Sequence, residues 1–264
     1  MHETDELKDL IGQVLETAIN PLKSHAWRGQ ADIAWTPYPT LYRRLLNNHY
    51  STDKIDENLI KQYETDLLCE SNGIGFYQGN PLNTLVKLQH HGGATRLLDV
   101  TRDPFIAFWF CSQESNGISD GCIIHYSIDL DFVANSESMD SWREVVDSYN
   151  SGRPILFYPK IIDDRIKSQS SAFLTTVLNK PLSSGSIFTD QRDGIESEVI
   201  RVPSYLKSDI QNYLLKSRGL RYFDIFPDFD GYATYCSQKM PFPRAKGELY
   251  DAANGLFPPR WTKR

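Results

Sequence analysis

The stretch from Gln89 to Asp103 concentrates side chains that could do chemistry. It holds the paired imidazoles of His90 and His91, a glycine pair, two arginines and two aspartates. Imidazole can exchange a proton near neutral pH, and a guanidinium group binds phosphate or carboxylate oxygens in pairs. This crowding is unlike an ordinary loop, and it predicts that the segment contributes to a functional site.

Two more clusters of this kind lie elsewhere in the chain. One is Trp27-Arg28-Gly29-Gln30, and the other joins Arg165-Ile166-Lys167-Ser168-Gln169 with Phe226-Pro227-Asp228-Phe229-Asp230-Gly231. With the Gln89 stretch they resemble the FRG domain. The motifs of that family are aromatic-Arg-Gly, His-Gly-x-x-Thr-Arg-Leu-Leu-Asp-x-Thr, Arg-x-x-x-Gln and Phe-Pro-Asp-x-Asp-Gly. The resemblance spans about Ala26 to Ala233.

The chain departs from the family at two places. It has Val100 where the family usually has Trp. It also has Gln169-Ser170-Ser171-Ala172-Phe173 where the family has a Gln-Gly-x-Phe pattern. The second departure removes the glycine on which a turn at this point would depend.

The FRG family looks related to the ADP-ribosyltransferases, and this resemblance implies a fold. The implied fold class is α+β, with an ADP-ribosyltransferase-like split β-sheet core and surrounding helices. Arg28 matches the basic residue of the first strand, Asp99-Val100-Thr101 matches a Ser/Thr strand, and Pro104 to Phe110 matches the helix behind it. Glu196-Ser197-Glu198 has the Glu-x-Glu form of a later strand.

The reaction that the resemblance implies breaks the nicotinamide–ribose bond of NAD, which is the substrate. Oxocarbenium character develops on the ribose, so the site needs a carboxylate near the ribose and a cation near the diphosphate. Arg28 suits the diphosphate because its planar fork stays charged, and Asp99 or Glu198 suits the ribose. We therefore predict Arg28, Asp99 and Glu198 as catalytic residues. The predicted NAD-binding residues are Arg28, Gly29, Gln30, His91, Thr95, Arg96, Thr101 and Gln169, and no metal ligands are predicted.

These assignments favour an ADP-ribosyltransferase-like enzyme that modifies a protein or nucleic-acid acceptor. A bacterial toxin or anti-phage effector, restrained by an antitoxin or regulatory partner, fits this chemistry. A second hypothesis is a non-catalytic domain that recognises a nucleotide or ADP-ribose in the same pocket. A third is a nuclease-like or other hydrolase that uses His90 and His91.

The basic candidates also have structural interpretations. Arg28 could form a buried ion pair with Asp99, and Arg96 could point outward or pair with an acid. His90 and His91 fall at the end of an expected helix, where a partly charged imidazole meets exposed carbonyl groups favourably.

The acidic candidates have structural interpretations as well. Asp228 and Asp230 could cap the last helix. Glu196 and Glu198 would share one solvated face of a strand. The run from Phe105 to Phe110 is expected to be plain hydrophobic core.

The elements that must position these residues are visible as periodic patterns. Amphipathic spacing predicts a helix over Asp5–Ile19, and Asn80-Pro81 and Asp103-Pro104 are cap-plus-proline starts. Further helices are expected at 40–45, 51–69, around 142–146, from the cap Ser204 to Gly219, and at 228–236, and a turn of helix leading to a strand is expected within 164–173. Strands are expected at 25–30, 95–100, 121–128, 154–159 and 198–203, and a loop at 180–194. Strands and helices do not alternate regularly and no glycine-rich phosphate loop is present, which favours α+β over a Rossmann or P-loop fold.

Composition limits the remaining function classes. The 264 residues carry a net charge of −6, so there is no global basic field for nucleic acid. No signal-like start or membrane-length apolar run occurs, which predicts a cytoplasmic protein. The four cysteines lack CxxC spacing and are expected to be buried free thiols. We expect an N-terminal helix (1–22), one globular FRG unit (23–240) and a C-terminal tail (241–264).

Overall fold

The computed structural model describes residues 5–77, 79–114, 119–135, 154–161, 163–175, 177–178, 182 and 194–238. Its α-helices are α1 (Asp5–Glu16), α2 (Thr40–Asn47), α3 (Glu57–Gly73), α4 (Pro81–His90), α5 (Pro104–Cys111), α6 (Asp164–Ser168), α7 (Lys207–Arg218), α8 (Tyr222–Ile225) and α9 (Phe229–Gln238). Its strands are β1 (Lys23–Gln30), β2 (Leu98–Thr101), β3 (Gly121–Asp129), β4 (Val133–Asn135), β5 (Ile155–Tyr158), β6 (Ser171–Thr175) and β7 (Ile195–Val202).

The strands form one mixed sheet in the order β4-β5-β6-β2-β1-β3-β7. Neighbouring strands are antiparallel, except that β4 and β5 run parallel. The α+β class predicted from the sequence is therefore confirmed.

The sheet is nearly split between β1 and β2. Strand β1 pairs with β3 along its whole length, from Lys23 opposite Asp129 to Gln30 opposite Cys122. Between β1 and β2, in contrast, only Trp27 and Thr101 are in register. The two halves of the sheet are thus joined at a single position.

Successive side chains of β1 point to opposite faces of the sheet. We call the face that carries the Trp27 ring the front face, and the face that carries Ala26 and Arg28 the back face. On the front face, α1, α5 and α7 cover the half of the sheet that contains β1, while α4 and α6 cover the half that contains β2. Helix α2 and the start of α3 cover the back face.

Helix α1 is part of the front core. Its buried residues Leu7, Leu10 and Val14 pack in one cluster with Trp27. The indole Nε1 of Trp27 donates to the hydroxyl of Thr17, just after the helix ends. The predicted amphipathic helix is confirmed, although it ends at Glu16 and not at Ile19.

Several sequence signals for helix ends are confirmed. Asn80 and Asp103 cap α4 and α5 by accepting from the backbone amides of Asn83 and Phe105. Gly219 ends α7 with a φ of 66°.

Two predicted helix starts are wrong. The carboxylate of Asp56 accepts from the amide of Leu59, so α3 starts at Glu57 and not at Ser51. Ser204 does not cap α7, which begins only at Lys207 after a 3₁₀ turn.

Other differences have local causes. Thr95 is not in strand β2, because its hydroxyl donates to Gln89 and accepts from the amide of Leu97.

Cys111 and Cys122 are buried as expected, but Cys69 and Cys236 are exposed, so the prediction of buried thiols is wrong for these two. The helix expected at 142–146 and most of the loop expected at 180–194 lie outside the described residues. None of the described helices is long and apolar enough to cross a membrane.

Candidate functional site

A cavity of about 240 Å³ lies where β1 and β2 separate, and residues from both faces of the sheet line it. Trp27, Phe110 and Phe226 supply aromatic walls, while Arg28, Asp99 and several other polar residues supply hydrogen-bonding groups. An apolar wall with a few converging polar groups is the usual character of a small-molecule site.

Arg28 bridges the gap in the sheet. Its Nη1 donates to the main-chain carbonyl oxygen of Asp99 at 2.7 Å, and its Nε donates to Gln30 Oε1 at 3.2 Å. The amide of Gln30 in turn donates to the carbonyl oxygen of Trp35. Arg28 therefore replaces a strand-to-strand backbone hydrogen bond, and its expected ion pair with the Asp99 carboxylate is not formed.

The Asp99 carboxylate is oriented by a chain of buried polar groups. Its Oδ2 accepts from Gln89 Nε2 at 2.7 Å, and Gln89 Oε1 accepts from the hydroxyl of Thr95 at 2.8 Å. Within the described part of the chain, Oδ1 of Asp99 accepts no hydrogen bond. Thr95 thus acts behind the site by fixing Gln89, and it does not line the cavity.

Gly29 allows helix α5 to pack directly on β1. A Cβ atom built on Gly29 would overlap the carbonyl oxygen of Ala107 and lie 2.8 Å from the amide nitrogen of Cys111. Glycine at this position therefore allows the backbones of α5 and β1 to approach closely.

Thr101 and Gln169 line the cavity on the β2 side. The Thr101 hydroxyl donates to the carbonyl oxygen of Gln169 at 2.7 Å, and the Gln169 amide donates to the carbonyl oxygen of Ile225. The next residue, Ser170, has a φ of 47°. The left-handed turn is therefore kept although serine stands where the family has glycine.

Arg165 connects the segment around Phe226 and Asp228 to the cavity. Its Nε and Nη2 donate to the two carboxylate oxygens of Asp228, each at 2.6 Å, and its Nη1 donates to the carbonyl oxygen of His90. The guanidinium carbon also lies 5.2 Å from the centre of the Phe226 ring. Asp228 caps α9 through the amide of Gly231, as the structural interpretation of this residue predicted.

The adjacent histidines diverge. His90 lines the cavity, whereas His91 is exposed and pairs through Nδ1 with Asp230. The structure therefore does not bring the two imidazoles to one site, as a hydrolase using both would require.

Arg96 is buried and forms ion pairs with two glutamates of α3. Its Nε donates to both carboxylate oxygens of Glu64, and its Nη1 donates to Glu57 Oε1, each at 2.9 Å. The Arg96 side chain is only 1% exposed. The pKa of Arg96 is shifted by burial, which lowers it, and by Glu64, Tyr42 and Glu57, which together raise it above its usual value. This residue does not line the cavity, and it joins α3 to the start of β2.

Glu198 lies on the outer strand β7, away from the cavity. It is in register with His125, which is in register with Trp27. Two strand spacings separate Glu198 from Trp27, a distance of about 10 Å. Glu198 and Glu196 are exposed and share the front face, as the solvated-face interpretation predicted. The structure does not bring Glu198 to Arg28 and Asp99, and its catalytic role stays a prediction.

Nine cavity residues were absent from the predicted site, and Gln89, His90, Arg165 and Phe226 are among them. Arg165 had a usable signal, because residues four apart on a helical turn share a side and Gln169 was already a candidate. Nothing in the local sequence indicates that His90 turns inward and His91 outward. Among the described residues, no group of three or more His, Cys, Asp and Glu side chains is placed to hold a metal ion.

Comparison with known families identifies part of the chain. The family model of the FRG domain matches residues 23–118, which run from the start of β1 past the end of α5. This range contains the Trp27 cluster and the Gln89 cluster, and the resemblance to the FRG family is confirmed. No curated protein and no solved structure matches the chain.

Proposed function

From the premise that the chain carries an FRG domain over residues 23–118, we propose that the cavity binds NAD and cleaves its nicotinamide–ribose bond. The observation that carries the proposal is the meeting of Arg28 and Asp99 between aromatic walls where the sheet is split. A cation and a carboxylate held at fixed positions are what a reaction that develops positive charge on a diphosphate-linked ribose requires.

Asp99 is the carboxylate that we assign to the ribose. Gln89 holds Oδ2, which leaves Oδ1 to face the ligand. A carboxylate oriented before the ligand arrives stabilises an oxocarbenium-like transition state without reorganising.

Arg28 is assigned to the diphosphate. The Asp99 carbonyl and Gln30 hold Nη1 and Nε, so the plane of the guanidinium group is fixed. Among the described residues Nη2 has no hydrogen-bond partner, and this edge is left to bind phosphate oxygens.

The test compares two carboxylate variants of the full-length chain, Asp99→Asn and Glu198→Gln. We expect Asp99→Asn to reduce nicotinamide release from NAD by about 100-fold or more, because a neutral amide cannot stabilise the developing charge. Glu198→Gln, the matched control on the outer strand, should stay close to wild type. The reverse pattern would assign the catalytic acid to Glu198 and remove Asp99 from this role.

A second candidate function is recognition of a nucleotide or ADP-ribose without turnover. The position of Glu198 on the outer strand favours it, because the acid of the Glu-x-Glu pattern is then missing from the cavity. Stabilisation of the wild type by both NAD and ADP-ribose, with no nicotinamide released, would select this function over cleavage.

The acceptor in the proposed reaction is a protein or a nucleic acid, and a toxin or anti-phage role with a restraining partner belongs to the same proposal. Incubation of the chain with NAD labelled in its adenylate phosphate and a cell lysate would separate these acceptors. Label that resists nuclease but is lost with protease indicates a protein acceptor, and the opposite sensitivity indicates nucleic acid.

A further inference from the structure

A second carboxylate stands behind the imidazole that lines the cavity. The Nδ1 atom of His90 lies 3.7 Å from Oδ1 of Asp163, and the His90 side chain is only 3% exposed. The ring also packs against Phe173, with ring centres 5.6 Å apart. His90 is thus held between an aromatic ring and a carboxylate at the cavity wall.

The pair contains polar atoms that the fold leaves unsatisfied. His90 Nδ1 and Asp163 Oδ2 are both buried, and neither has a hydrogen-bond partner among the residues that the structure describes. A buried polar atom without a partner lowers stability, so this arrangement is not explained by stability. Since Nδ1 faces Asp163 and His90 lines the cavity, Nε2 is the ring nitrogen that we assign to the cavity.

Other residues fix the positions of both His90 and Asp163. Asp163 Oδ1 caps α6 by accepting from the amide of Ile166 at 2.8 Å. Arg165 Nη1 holds the main-chain carbonyl of His90. Burial acts to raise the pKa of the Asp163 carboxyl, but the His90 ring and the Ile166 amide outweigh it, and the pKa lies below its ordinary value. Asp163 therefore remains a carboxylate at neutral pH.

We propose that His90 is the general base of the reaction in this cavity and that Asp163 is the residue that positions it. This inference rests on the proposed cleavage of NAD. A carboxylate beside Nδ1 favours the tautomer with the proton on Nδ1, which leaves a lone pair on Nε2 toward the cavity. The same carboxylate stabilises the imidazolium that forms when Nε2 takes up a proton.

The proposed step balances without a further reactant. The C1′–N bond of the nicotinamide riboside breaks, and its electron pair returns to the pyridine ring, so nicotinamide leaves uncharged. Water or the acceptor's O–H or N–H group forms the new bond to C1′ and gives its proton to His90 Nε2. The imidazolium then releases this proton to solvent. The 3.7 Å spacing of His90 and Asp163 is longer than a hydrogen bond, and such contacts commonly tighten when the reacting complex forms.

The test measures nicotinamide release from NAD by the full-length chain between about pH 5 and about pH 9, where imidazole changes its charge. In the wild type we expect the rate to fall at low pH, because a protonated imidazole cannot accept a proton. His90→Asn should reduce the rate by about 100-fold or more and abolish this fall. His49→Asn is the matched control, since it removes an exposed imidazole that does not line the cavity, and it should keep both the rate and the pH profile.

Two further measurements separate a proton-transfer role from a structural one. Added imidazole should restore part of the activity of His90→Ala, because a free base can occupy the vacated volume. Asp163→Asn should reduce the rate while ADP-ribose binding stays close to wild type, since asparagine still caps α6.

The outcomes distinguish this proposal from the proposed function. If the wild type releases nicotinamide and His90→Asn keeps the wild-type rate and pH profile, the general base is overturned and NAD cleavage stands. If His90→Asn is slow but His90→Ala is folded and does not respond to imidazole, the base is again overturned. If the wild type releases no nicotinamide, NAD cleavage fails and the assignment of His90 fails with it.

Discussion

Gly29 combines a packing role and a site role in one residue. It is part of the aromatic-Arg-Gly motif, and it is also where α5 lies directly against β1. Because Gly29, Ile106 and Phe110 all line the cavity, the distance between this helix and strand sets the shape of the cavity wall. The close packing of α5 on β1 is therefore a sufficient reason for glycine at this position of the motif, in a residue that also lines the cavity.

We expect Gly29→Ala to destabilise the fold by about 3 kcal/mol, because the added methyl group forces α5 away from β1. Gly12→Ala is the matched control. A Cβ built on Gly12 meets nothing within 4 Å, so this change inside α1 should stabilise the protein by about 0.5–1 kcal/mol. Urea denaturation measures both effects. A loss for Gly29→Ala no larger than about 0.5 kcal/mol, the range of neutral surface changes, would show that α5 can shift without cost.

At the scale of elements, the cavity depends on how the C-terminal helices are attached. Phe226, which forms one wall of the cavity, lies between helices α8 and α9. Hydrogen bonds from Arg165, Ser168 and Gln169, in and just after α6, hold this part of the chain in place. Burial acts to raise the pKa of Asp228, but Arg165 and the Gly231 amide outweigh it and hold the pKa below its ordinary value. The Arg165–Asp228 pair is therefore a charged contact of this attachment, beside the pair of His91 with Asp230.

We predict that Asp228→Asn costs about 2 kcal/mol, because it leaves the partly buried guanidinium of Arg165 without its charged partner. Asparagine still accepts from Gly231, so the cap of α9 is kept and the loss reports the ion pair. Amide hydrogen exchange should become faster across residues 222–238. Asp5→Asn breaks an exposed pair with Lys8, where Asp5 is 97% exposed, and should cost less than about 0.5 kcal/mol. Equal effects of the two changes would argue against an attachment role for Asp228.

The sequence predicts elements whose signals are local, and it misses contacts that join distant segments. Helix α5 follows from the Asp103 cap and the apolar run behind it, and β3 follows from its β-branched residues. The cavity arises because β1 and β2 are in register only at Trp27 and Thr101, which no local pattern encodes. Arg165 bonds groups 63 and 75 residues away in the chain, and a spacing rule within one helix cannot find such partners.

At the scale of the whole molecule, the candidate site is assembled from both ends of the described chain. Residues 23–118, which match the FRG family, supply Arg28 and Asp99, but Arg165, Gln169 and Phe226 lie beyond this range. Behind the cavity, Trp27 links the wall to α1 through Thr17. The Trp27 wall of the cavity is thus also part of the front core that contains α1.

A pair of histidines beside Trp27 couples this core to pH. His25 Nε2 donates to the carbonyl oxygen of Asn20, so the neutral ring presents Nδ1 as an acceptor to Nε2–H of His125, 3.0 Å away. The two rings stack with centres 5.2 Å apart. Burial and the nearby His25, partly opposed by Glu196, lower the pKa of His125 to about 4.

Stability should therefore fall as pH decreases. The unfolded chain protonates His125 near its ordinary pKa of about 6.5, whereas the folded chain does so only near 4, so the unfolded state binds more protons between these values. We expect the free energy of unfolding to decrease by about 3 kcal/mol as pH falls through this window. His125→Gln keeps an amide donor for His25 but cannot titrate, so urea denaturation at several pH values should give a flatter curve. His49→Gln, at an exposed site, should follow the wild type. If His125→Gln instead follows the wild type, the acid sensitivity comes from other groups and the histidine pair is not its source.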